Sequence, residues 1–200
     1  MALEIELKYR FSNKQDFEMF LKSFPGQHRI ENQVNHFWDT ADFQFQKQHI
    51  FLRFRQSDQA WTFTRKSKPD DSTRSSDRIS IHHEFEQKLT EGSLASQRAF
   101  LQKLMPGEML EYKGCFKNTR THVPYSFGEI LLDLEFDQTD FGIRTDYELE
   151  IELPENLDPK QVDAVFLKQF QKINLTVGPS SGKAERLFNL DSKPDPDHRE

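Results

Sequence analysis

Charged side chains occupy every second position in several short stretches of this sequence. Glu4, Glu6 and Lys8 alternate with apolar residues near the beginning, and Arg53 and Arg55 repeat the pattern with arginines. Alternate side chains of an extended strand point to the same face, so each stretch would have one charged and one apolar face. A solvated sheet face normally mixes charges, because like charges on neighbouring positions repel each other. Charge of a single sign on most of these stretches therefore indicates a face that binds something charged.

The residue types on these faces indicate which ligands they suit. Arginine forks bind phosphate oxygens in pairs, so the basic stretches suit a polyanion. Carboxylates without usable thiols beside them suit hard divalent cations such as Mg2+ or Mn2+. A polyanion and a divalent metal in one site point to phosphoryl or nucleotidyl transfer. The candidate residues are the bases Lys8, Arg10, Arg53, Arg55, Lys66, Lys68 and Arg120 and the acids Glu4, Glu6, Glu84, Glu86, Asp133, Glu135, Asp137, Glu148, Glu150 and Glu152.

Composition narrows the class of protein. The chain has 200 residues, a formal net charge of -6 and 35% hydrophobic residues, with 19 phenylalanines. This length suits one larger domain with a sizeable core, and the negative charge argues against nucleic acid as a partner. Cys115 is the only cysteine, which excludes an intrachain disulfide and a cysteine-based zinc site. The longest apolar runs fall far short of the roughly 20 residues of a membrane span. No membrane partner and a cytoplasmic location are therefore expected.

Periodicity and turn signals predict about eight strands and three or four helices. The predicted strands cover residues 1–10, 30–40, 49–56, 60–67, 78–88, 109–123, 128–137 and 145–153. The predicted helices run from Ser12 to Phe24, from Ser93 to Met105, from Asp158-Pro159 onward and over 181–188. Residues 68–77 are predicted to form an exposed loop. The remaining expectations are that Asp39 caps a turn and that four histidines lie at strand surfaces, namely His36, His82, His83 and His122.

These elements fit an α+β fold in which a closed, antiparallel, eight-stranded β-barrel carries peripheral helices. If the helices cover the apolar outer face of the barrel, the charged face of each strand must point inward. The sequence has no internal repeat and no dividing linker, so a single domain over residues 1–190 is predicted, with a disordered tail at 191–200. The predicted structure is a tunnel with a charged lumen that can hold one small ligand.

The motif Glu4-x-Glu6-x-Lys8 resembles the signature of the triphosphate tunnel metalloenzymes, also called the CYTH superfamily. Further motifs of that family follow in its order along nearly the whole chain. They are Phe37-Trp38-Asp39-Thr40, Leu52-Arg53-Phe54-Arg55, Thr64-Arg65-Lys66, Glu84-Phe85-Glu86, Asn118-Thr119-Arg120, Leu134-Glu135-Phe136-Asp137, Tyr147-Glu148-Leu149-Glu150 and Ser181-Gly182-Lys183. A lone first motif would be weak, so the ordered series carries the resemblance.

The resemblance implies a role for each matching residue. It implies that Glu4, Glu6 and Glu150 hold a metal that bridges the phosphate chain. It implies that Asp137 and Glu148 hold a second metal, which positions or deprotonates the attacking water, so that Asp137, Glu148 and Lys8 are the catalytic candidates. The implied triphosphate-binding residues are Lys8, Arg53, Arg55, Lys66, Arg120 and Lys183. The implied tunnel-lining acids are Glu84, Glu86, Glu135 and Glu152.

The resemblance leaves more than one activity open. The first expectation is Mg2+- or Mn2+-dependent hydrolysis of inorganic triphosphate to pyrophosphate and phosphate, with thiamine triphosphate or a nucleoside triphosphate as alternative substrates. The second is a class IV adenylate cyclase, in which the ribose hydroxyl of ATP attacks the alpha-phosphate to give cyclic AMP. The third is a non-catalytic polyphosphate-binding module. In each case the partner is a small-molecule triphosphate, and the chain is expected to be a monomer or a homodimer.

Overall fold

The computed structural model describes residues 2–58, 60–69 and 78–190. Most of the predicted loop at 68–77 and the predicted tail at 191–200 lie outside these ranges. The described residues form a closed antiparallel barrel of eight strands, and the α+β barrel predicted from the sequence is confirmed. The barrel strands are β1 (Ala2–Phe11), β2 (Arg29–Thr40), β3 (Ile50–Ser57), β4 (Ala60–Ser67), β5 (Ile79–Leu89), β6 (Leu110–Phe127), β7 (Ile130–Asp140) and β8 (Thr145–Leu153).

The barrel closes because β1 pairs along both of its edges. Residues 2–7 of β1 pair with β5, and residues 5–11 pair with β8. The strand order around the barrel is therefore β1, β5, β4, β3, β2, β6, β7 and β8. A short strand that the sequence did not predict, β9 (Val177–Gly178), pairs with the end of β1. Because β1 is shared by both edges, its charged side chains lie at the seam of the barrel.

The β6–β7 hairpin extends further than the sequence predicted. Strand β6 ends at Phe127 and β7 begins at Ile130, so the turn between them contains two residues. Gly128 has a φ of 61°, a left-handed conformation that glycine adopts without steric cost. The register that follows places Arg120 directly opposite Asp137. The long connection between these two residues in the sequence is thus a regular hairpin.

Five helices accompany the barrel within the described ranges, and the bounds of the first differ from the prediction. Asn13, rather than Ser12, caps this helix, since its side-chain oxygen accepts from the backbone N–H three residues later (2.9 Å). Both residue types are good caps, so the sequence alone did not separate them. The helix also ends at Lys22, two residues earlier than predicted. The helices are α1 (Lys14–Lys22), α2 (Gln44–Lys47), α3 (Leu94–Leu104), α4 (Pro159–Lys172) and α5 (Lys183–Phe188).

The short helix α2 was not predicted and depends on Asp39. One carboxylate oxygen of Asp39 accepts from the backbone N–H of Thr40 (2.7 Å) and of Phe45 (3.0 Å), and the other accepts from Gln46 (2.9 Å). Asp39 is thus a capping carboxylate that also fixes the beginning of a helix, because it satisfies donors that have no partner inside the helix. None of the helices formed by the described residues has the length and apolar character needed to cross a membrane.

The outer face of the barrel is apolar and lies under the helices. Leu7 and Tyr9 of β1 are fully buried in a cluster with residues of α1 and α4. The rings of Phe20 in α1 and Phe170 in α4 have centroids 4.4 Å apart. A second cluster buries Phe63 of β4 with residues of α3. This covering leaves the opposite, charged face of each strand inside the barrel, as the alternation of residues requires.

Candidate active site in the barrel lumen

The barrel encloses a cavity of about 230 Å³ whose wall is mostly charged. Seven carboxylates and six basic side chains line it, together with His82 and polar residues of β2 and β6. The predicted residues that it brings together are Glu4, Glu6, Lys8, Arg53, Arg55, Lys66, Glu84, Glu86, Arg120, Glu135, Glu150, Glu152 and Lys183. Three phenylalanines add a small apolar region, Phe37, Phe51 and Phe116.

Lysine ammonium groups join the acidic residues of β1 and β8. Lys8 Nζ lies 2.6 Å from Glu6 Oε2 and 3.2 Å from Glu150 Oε1. Lys66 Nζ lies 2.7 and 2.6 Å from the two oxygens of Glu4 and 3.4 Å from Glu6 Oε1. All five residues are held by strands, so their spacing is set by the register of the barrel. The three carboxylates implied to hold the first metal therefore surround two positive charges.

These carboxylates differ in how readily they ionise. Burial opposes ionisation of Glu6, but the ammonium groups of Lys66 and Lys8 outweigh it and hold the pKa of Glu6 well below its usual range. Burial and the neighbouring Glu6 charge raise the pKa of Glu4 to about 8, although Lys66 acts in the opposite direction. Burial also raises the pKa of Glu135 to about 7. The lumen therefore holds more carboxylates than its basic residues can keep ionised at neutral pH.

The basic wall of the cavity comes from β3. Arg53 Nη2 donates to Thr64 Oγ1 (3.1 Å) and lies 3.5 Å from Glu84 Oε1. Within the described part of the chain, Arg55 donates through Nε to Asn35 Oδ1 (3.0 Å) and makes no ion pair. Burial, together with the positive charges of nearby Arg53 and Arg120, lowers the pKa of Arg55 to about 9. A buried guanidinium that lacks a carboxylate partner is costly, and an anion in the cavity would remove that cost.

Asp137 and Glu148 lie deeper than the cavity and are fully buried. Arg120 donates to both oxygens of Asp137 (2.8 and 2.6 Å). Arg186 of α5 donates to both oxygens of Glu148 and also pairs with Asp146 (2.9 Å). Burial opposes ionisation of Glu148, but Arg186 and Lys183 lower its pKa to about 2. Neither of these two acids contributes to the cavity wall, so here the structure differs from the simple picture of a lumen lined by every predicted acid.

Lys183 at the first turn of α5 connects the two acids. Its Nζ lies 2.8 Å from Asp137 Oδ2, 3.4 Å from Glu148 Oε2 and 2.7 Å from Glu150 Oε1. The second pair of implied metal ligands thus also surrounds an ammonium group. Arg186, three residues later on the same helix, was not predicted. Residues three apart lie on the same face of a helix, so the spacing from Lys183 to Arg186 could have identified Arg186 as a neighbour of the site.

Two of the histidines do not lie at a strand surface as the sequence analysis expected. His82 of β5 lines the cavity, and burial with the nearby Lys8 charge lowers its pKa to about 4. His122 of β6 is buried, with Nδ1 2.6 Å from Asp133 Oδ2 and Nε2 3.3 Å from a Glu31 oxygen. Position 82 shares the parity of 84 and 86, which could have placed His82 inside the barrel.

The donor set of the lumen fits a hard or borderline divalent cation. Glu4, Glu6 and His82 offer ligand atoms that lie within 4.8 Å of one another. Carboxylate oxygens suit Mg2+ and Mn2+, and an imidazole nitrogen suits transition-metal ions.

The closed barrel, its charged lumen and the helices that cover it place this chain in the class of tunnel-type barrel proteins. Residues 2–186 match the CYTH domain family, and the chain therefore belongs to this family. The resemblance identified in the sequence is confirmed. No curated protein matches the sequence significantly.

Solved structures with the same fold superpose on nearly the whole of this chain. A candidate adenylyl cyclase from Hippeastrum, described as having a dominant triphosphatase activity, superposes with a TM-score of 0.76 at 22% identity, covering 98% of this chain and 100% of its own. A candidate adenylate cyclase from Bacillus halodurans gives 0.64 at 22% identity, covering 94% and 100%. One from Vibrio parahaemolyticus gives 0.59 at 19% identity, covering 93% and 98%. At these identities the similarity establishes the fold.

Proposed function

We propose that this chain is a metal-dependent hydrolase of a triphosphate, and that its substrate is inorganic triphosphate, which it cleaves to pyrophosphate and phosphate. The observation that carries the proposal is the half-buried side chain of Arg55, which makes no ion pair among the described residues and lines the cavity beside Arg53. Such an arrangement suits a ligand with several anionic oxygens. Membership of the CYTH family and the activity described for the Hippeastrum protein are consistent with a triphosphate.

Binding residues and acidic residues have separate roles in this proposal. Lys8, Lys66, Lys183 and the three arginines Arg53, Arg55 and Arg120 bind the phosphate chain. They hold it along the cavity, so that one terminal phosphorus faces the acidic side formed by β7 and β8. Ammonium groups that now lie between carboxylates would turn to phosphate oxygens, since a triphosphate presents stronger negative charge. This exchange frees the carboxylates for a cation.

Metal ions would be held at two places, which contain two lysine ammonium groups and one, respectively, in the structure. Glu4, Glu6 and Glu150 surround Lys8 and Lys66 and are proposed to hold the first ion, Mg2+ or Mn2+. Asp137 and Glu148 flank Lys183 and are proposed to hold the second. When bound, such ions neutralise phosphate charge and lower the pKa of water. Glu148, with its pKa near 2, stays ionised throughout and orients the attacking water.

A second candidate is hydrolysis or cyclisation of an organic triphosphate. Phe37, Phe51 and Phe116 form an apolar part of the cavity wall, which a triphosphate alone would not use. An aromatic group such as the thiazole of thiamine or the base of ATP could pack there. This candidate includes thiamine triphosphatase and class IV adenylate cyclase, and it differs from the first in requiring these rings. A non-catalytic binding module remains the third alternative.

Product analysis tests the proposal. The protein is incubated with Mg2+ or Mn2+ and with inorganic triphosphate, thiamine triphosphate or ATP in parallel, and phosphate, pyrophosphate and cyclic AMP are measured. Rapid release of phosphate from inorganic triphosphate, with little from the other two, supports the proposal. Preferential cleavage of thiamine triphosphate, or cyclic AMP from ATP, would replace it with the second candidate. Tight triphosphate binding without any product would leave the binding module.

A further inference from the structure

We propose that His82 is a ligand of the divalent metal held by Glu4 and Glu6, and that it makes this site prefer Mn2+ to Mg2+. The inference rests on the metal site of the proposed function and adds to it a nitrogen ligand and a choice of ion. It is carried by the positions of these residues on two paired strands.

The three side chains converge inside the barrel. Glu4 of β1 lies directly opposite His82 of β5, and both residues line the cavity. Ligand atoms of Glu4, Glu6 and His82 lie within 4.8 Å of one another. A cation with bonds of about 2.0 to 2.2 Å holds its ligand atoms within about 4.4 Å of each other. Small side-chain rotations are therefore enough to bring all three to one ion.

A positive charge already lies where the carboxylates converge. Lys66 Nζ is in contact with both oxygens of Glu4 and is 3.4 Å from Glu6 Oε1. Both carboxylates of β1 thus share Lys66 as a cationic neighbour, while the other oxygen of Glu6 pairs with Lys8 (2.6 Å). A divalent cation carries more charge than this ammonium group and can displace it from the carboxylates, and a bound triphosphate would draw Lys66 further away.

A neighbouring hydroxyl can orient the imidazole. Ser80 Oγ lies 3.3 Å from His82 Nδ1. Histidines that bind metals usually have such a partner on their other nitrogen, which fixes the orientation of the ring. In this arrangement Nε2 is the nitrogen for the metal. The adjacent His83 has the opposite parity and pairs with Leu3 and Ser67, so it provides a control that differs only in the face it occupies.

The imidazole nitrogen of His82 would determine which divalent ion the site prefers. Mg2+ prefers oxygen ligands and keeps several of its waters. Mn2+ also binds carboxylates well, but as a transition-metal ion it is softer than Mg2+ and accepts an imidazole nitrogen more readily. A site with carboxylates alone would therefore discriminate less than one that includes His82. We expect His82→Gln to weaken Mn2+ binding on the order of tenfold, in the range found when groups supporting a metal site are removed. Mg2+ binding should change much less.

The direct test is pulsed EPR of Mn2+ bound to the full-length protein, which detects coupling to a ligating 14N nucleus. We expect a 14N coupling in the wild-type protein that disappears in His82→Gln and remains in His83→Gln. Titration calorimetry with Mn2+ alone and Mg2+ alone, on the same three proteins, gives the change in ion preference. Because the wild-type spectrum needs no variant, a variant that folds poorly does not prevent the test.

Several results would overturn the inference. One is Mn2+ bound without 14N coupling, and another is coupling that persists in His82→Gln. Coupling lost instead in His122→Gln would assign the ion to the other cluster, formed by His122, Asp133 and Glu135. If Mn2+ binds without nitrogen and triphosphate is still hydrolysed, only this inference fails. If no divalent ion binds and none supports turnover, the proposed function fails with it.

Discussion

The two faces of β1 show different physical chemistry, although their residues alternate along one strand. On the outer face, Leu7 and Tyr9 are fully buried, and the Tyr9 ring lies 5.1 Å from that of Phe170 in α4. On the inner face, Lys8 pairs with Glu6 at 2.6 Å. Outer contacts are the sum of many weak and non-directional terms. Inner contacts depend on matched charges whose desolvation opposes their attraction.

This difference indicates what each face contributes. Burying apolar surface stabilises the fold whether or not a ligand is present. A network of buried charges contributes little net stability and is retained where the charges serve a ligand or reaction. We therefore expect substitutions inside the barrel to change activity more than stability, and substitutions outside it to do the reverse.

The largest effect is expected for Glu148→Gln, an isosteric change on the inner face of β8. Loss of the carboxylate that is proposed to orient water should lower kcat by about 10² to 10⁴-fold, the usual range for a positioned acid or base. KM should change little. The melting temperature should fall, because buried Arg186 loses its charged partner at Glu148 and keeps only Asp146 (2.9 Å). The measurement is steady-state hydrolysis of inorganic triphosphate together with thermal unfolding.

Glu152→Gln is the matched control for this change. Glu152 lies on the same strand with the same parity, but it is exposed at the edge of the cavity. We expect its turnover to stay within a few fold of wild type. Equal losses in both variants, or full turnover in Glu148→Gln, would contradict the role proposed for Glu148.

On the outer face, Phe170→Ala should act on stability alone. The Phe170 ring is 1% exposed and contacts Tyr9, Phe11 and Phe20 at centroid distances of 5.1, 5.9 and 4.4 Å. Truncation of a buried phenylalanine leaves a cavity and costs about 3 to 5 kcal/mol in the free energy of unfolding. Urea unfolding measures this change, and activity per folded molecule should be unchanged.

Two further variants complete the Phe170 test. Lys168→Ala, at an exposed position of α4, should change the free energy of unfolding by less than about 0.5 kcal/mol. Phe170→Leu provides a milder change if the alanine variant does not fold. A large loss of activity in folded Phe170→Leu would show that the two faces are coupled and that the separation is wrong.

Arg53→Met tests the basic wall of the cavity. Loss of hydrogen bonds from a charged group costs about 1.5 to 3 kcal/mol, which corresponds to about 10- to 150-fold in KM for inorganic triphosphate. kcat should fall less than KM rises. Arg65→Met is the control, because Arg65 lies on the outward parity of the adjacent strand β4. An equal effect of both substitutions would mean that general charge, rather than the lumen, determines binding.

The fold and most of the lumen could be predicted because the signal has a period of two. In the first ten residues, apolar and charged positions alternate without interruption, and a shift of one residue would exchange the two faces. The parity that places Glu84 and Glu86 inside the barrel is of the same kind. These positions follow from local alternation, which does not depend on how distant elements pack.

The features that the sequence did not predict depend on contacts between residues that are not neighbours in the sequence. Helix α2 forms because the Asp39 carboxylate accepts from N–H groups six and seven residues away, which no local propensity indicates. Arg186 contacts Glu148 only because α5 lies against the barrel. His82 has the right parity, but a neutral polar side chain is common on either face. The alternation of charged and apolar residues indicates which side chains face the lumen. It does not indicate which helix lies against the barrel there.

The smallest predicted effect concerns Glu31, which has inward parity on β2 but lies outside the cavity wall. Hydrogen bonds from Ser57, Gln33 and Arg29 outweigh partial burial and lower the pKa of Glu31 from 4.5 to about 2. A depressed pKa contributes stability that is complete above pH 4.5 and is lost as the pH falls toward 2. Glu31→Gln should therefore lower the free energy of unfolding by about 1 kcal/mol at pH 7, discounted for solvent screening.

This stability difference should narrow as the pH falls below 4.5, since Glu31 then takes up a proton in the unfolded chain but keeps its charge in the folded protein. Urea unfolding of both proteins between pH 7 and about pH 3.5 measures it, with Glu129→Gln in the exposed β6–β7 turn as the control. A difference that stays constant with pH would mean that Glu31 acts through the shape of its hydrogen bonds rather than through its charge. Unchanged triphosphate turnover in Glu31→Gln would then restrict the functional charges of the inner face to those that border the cavity.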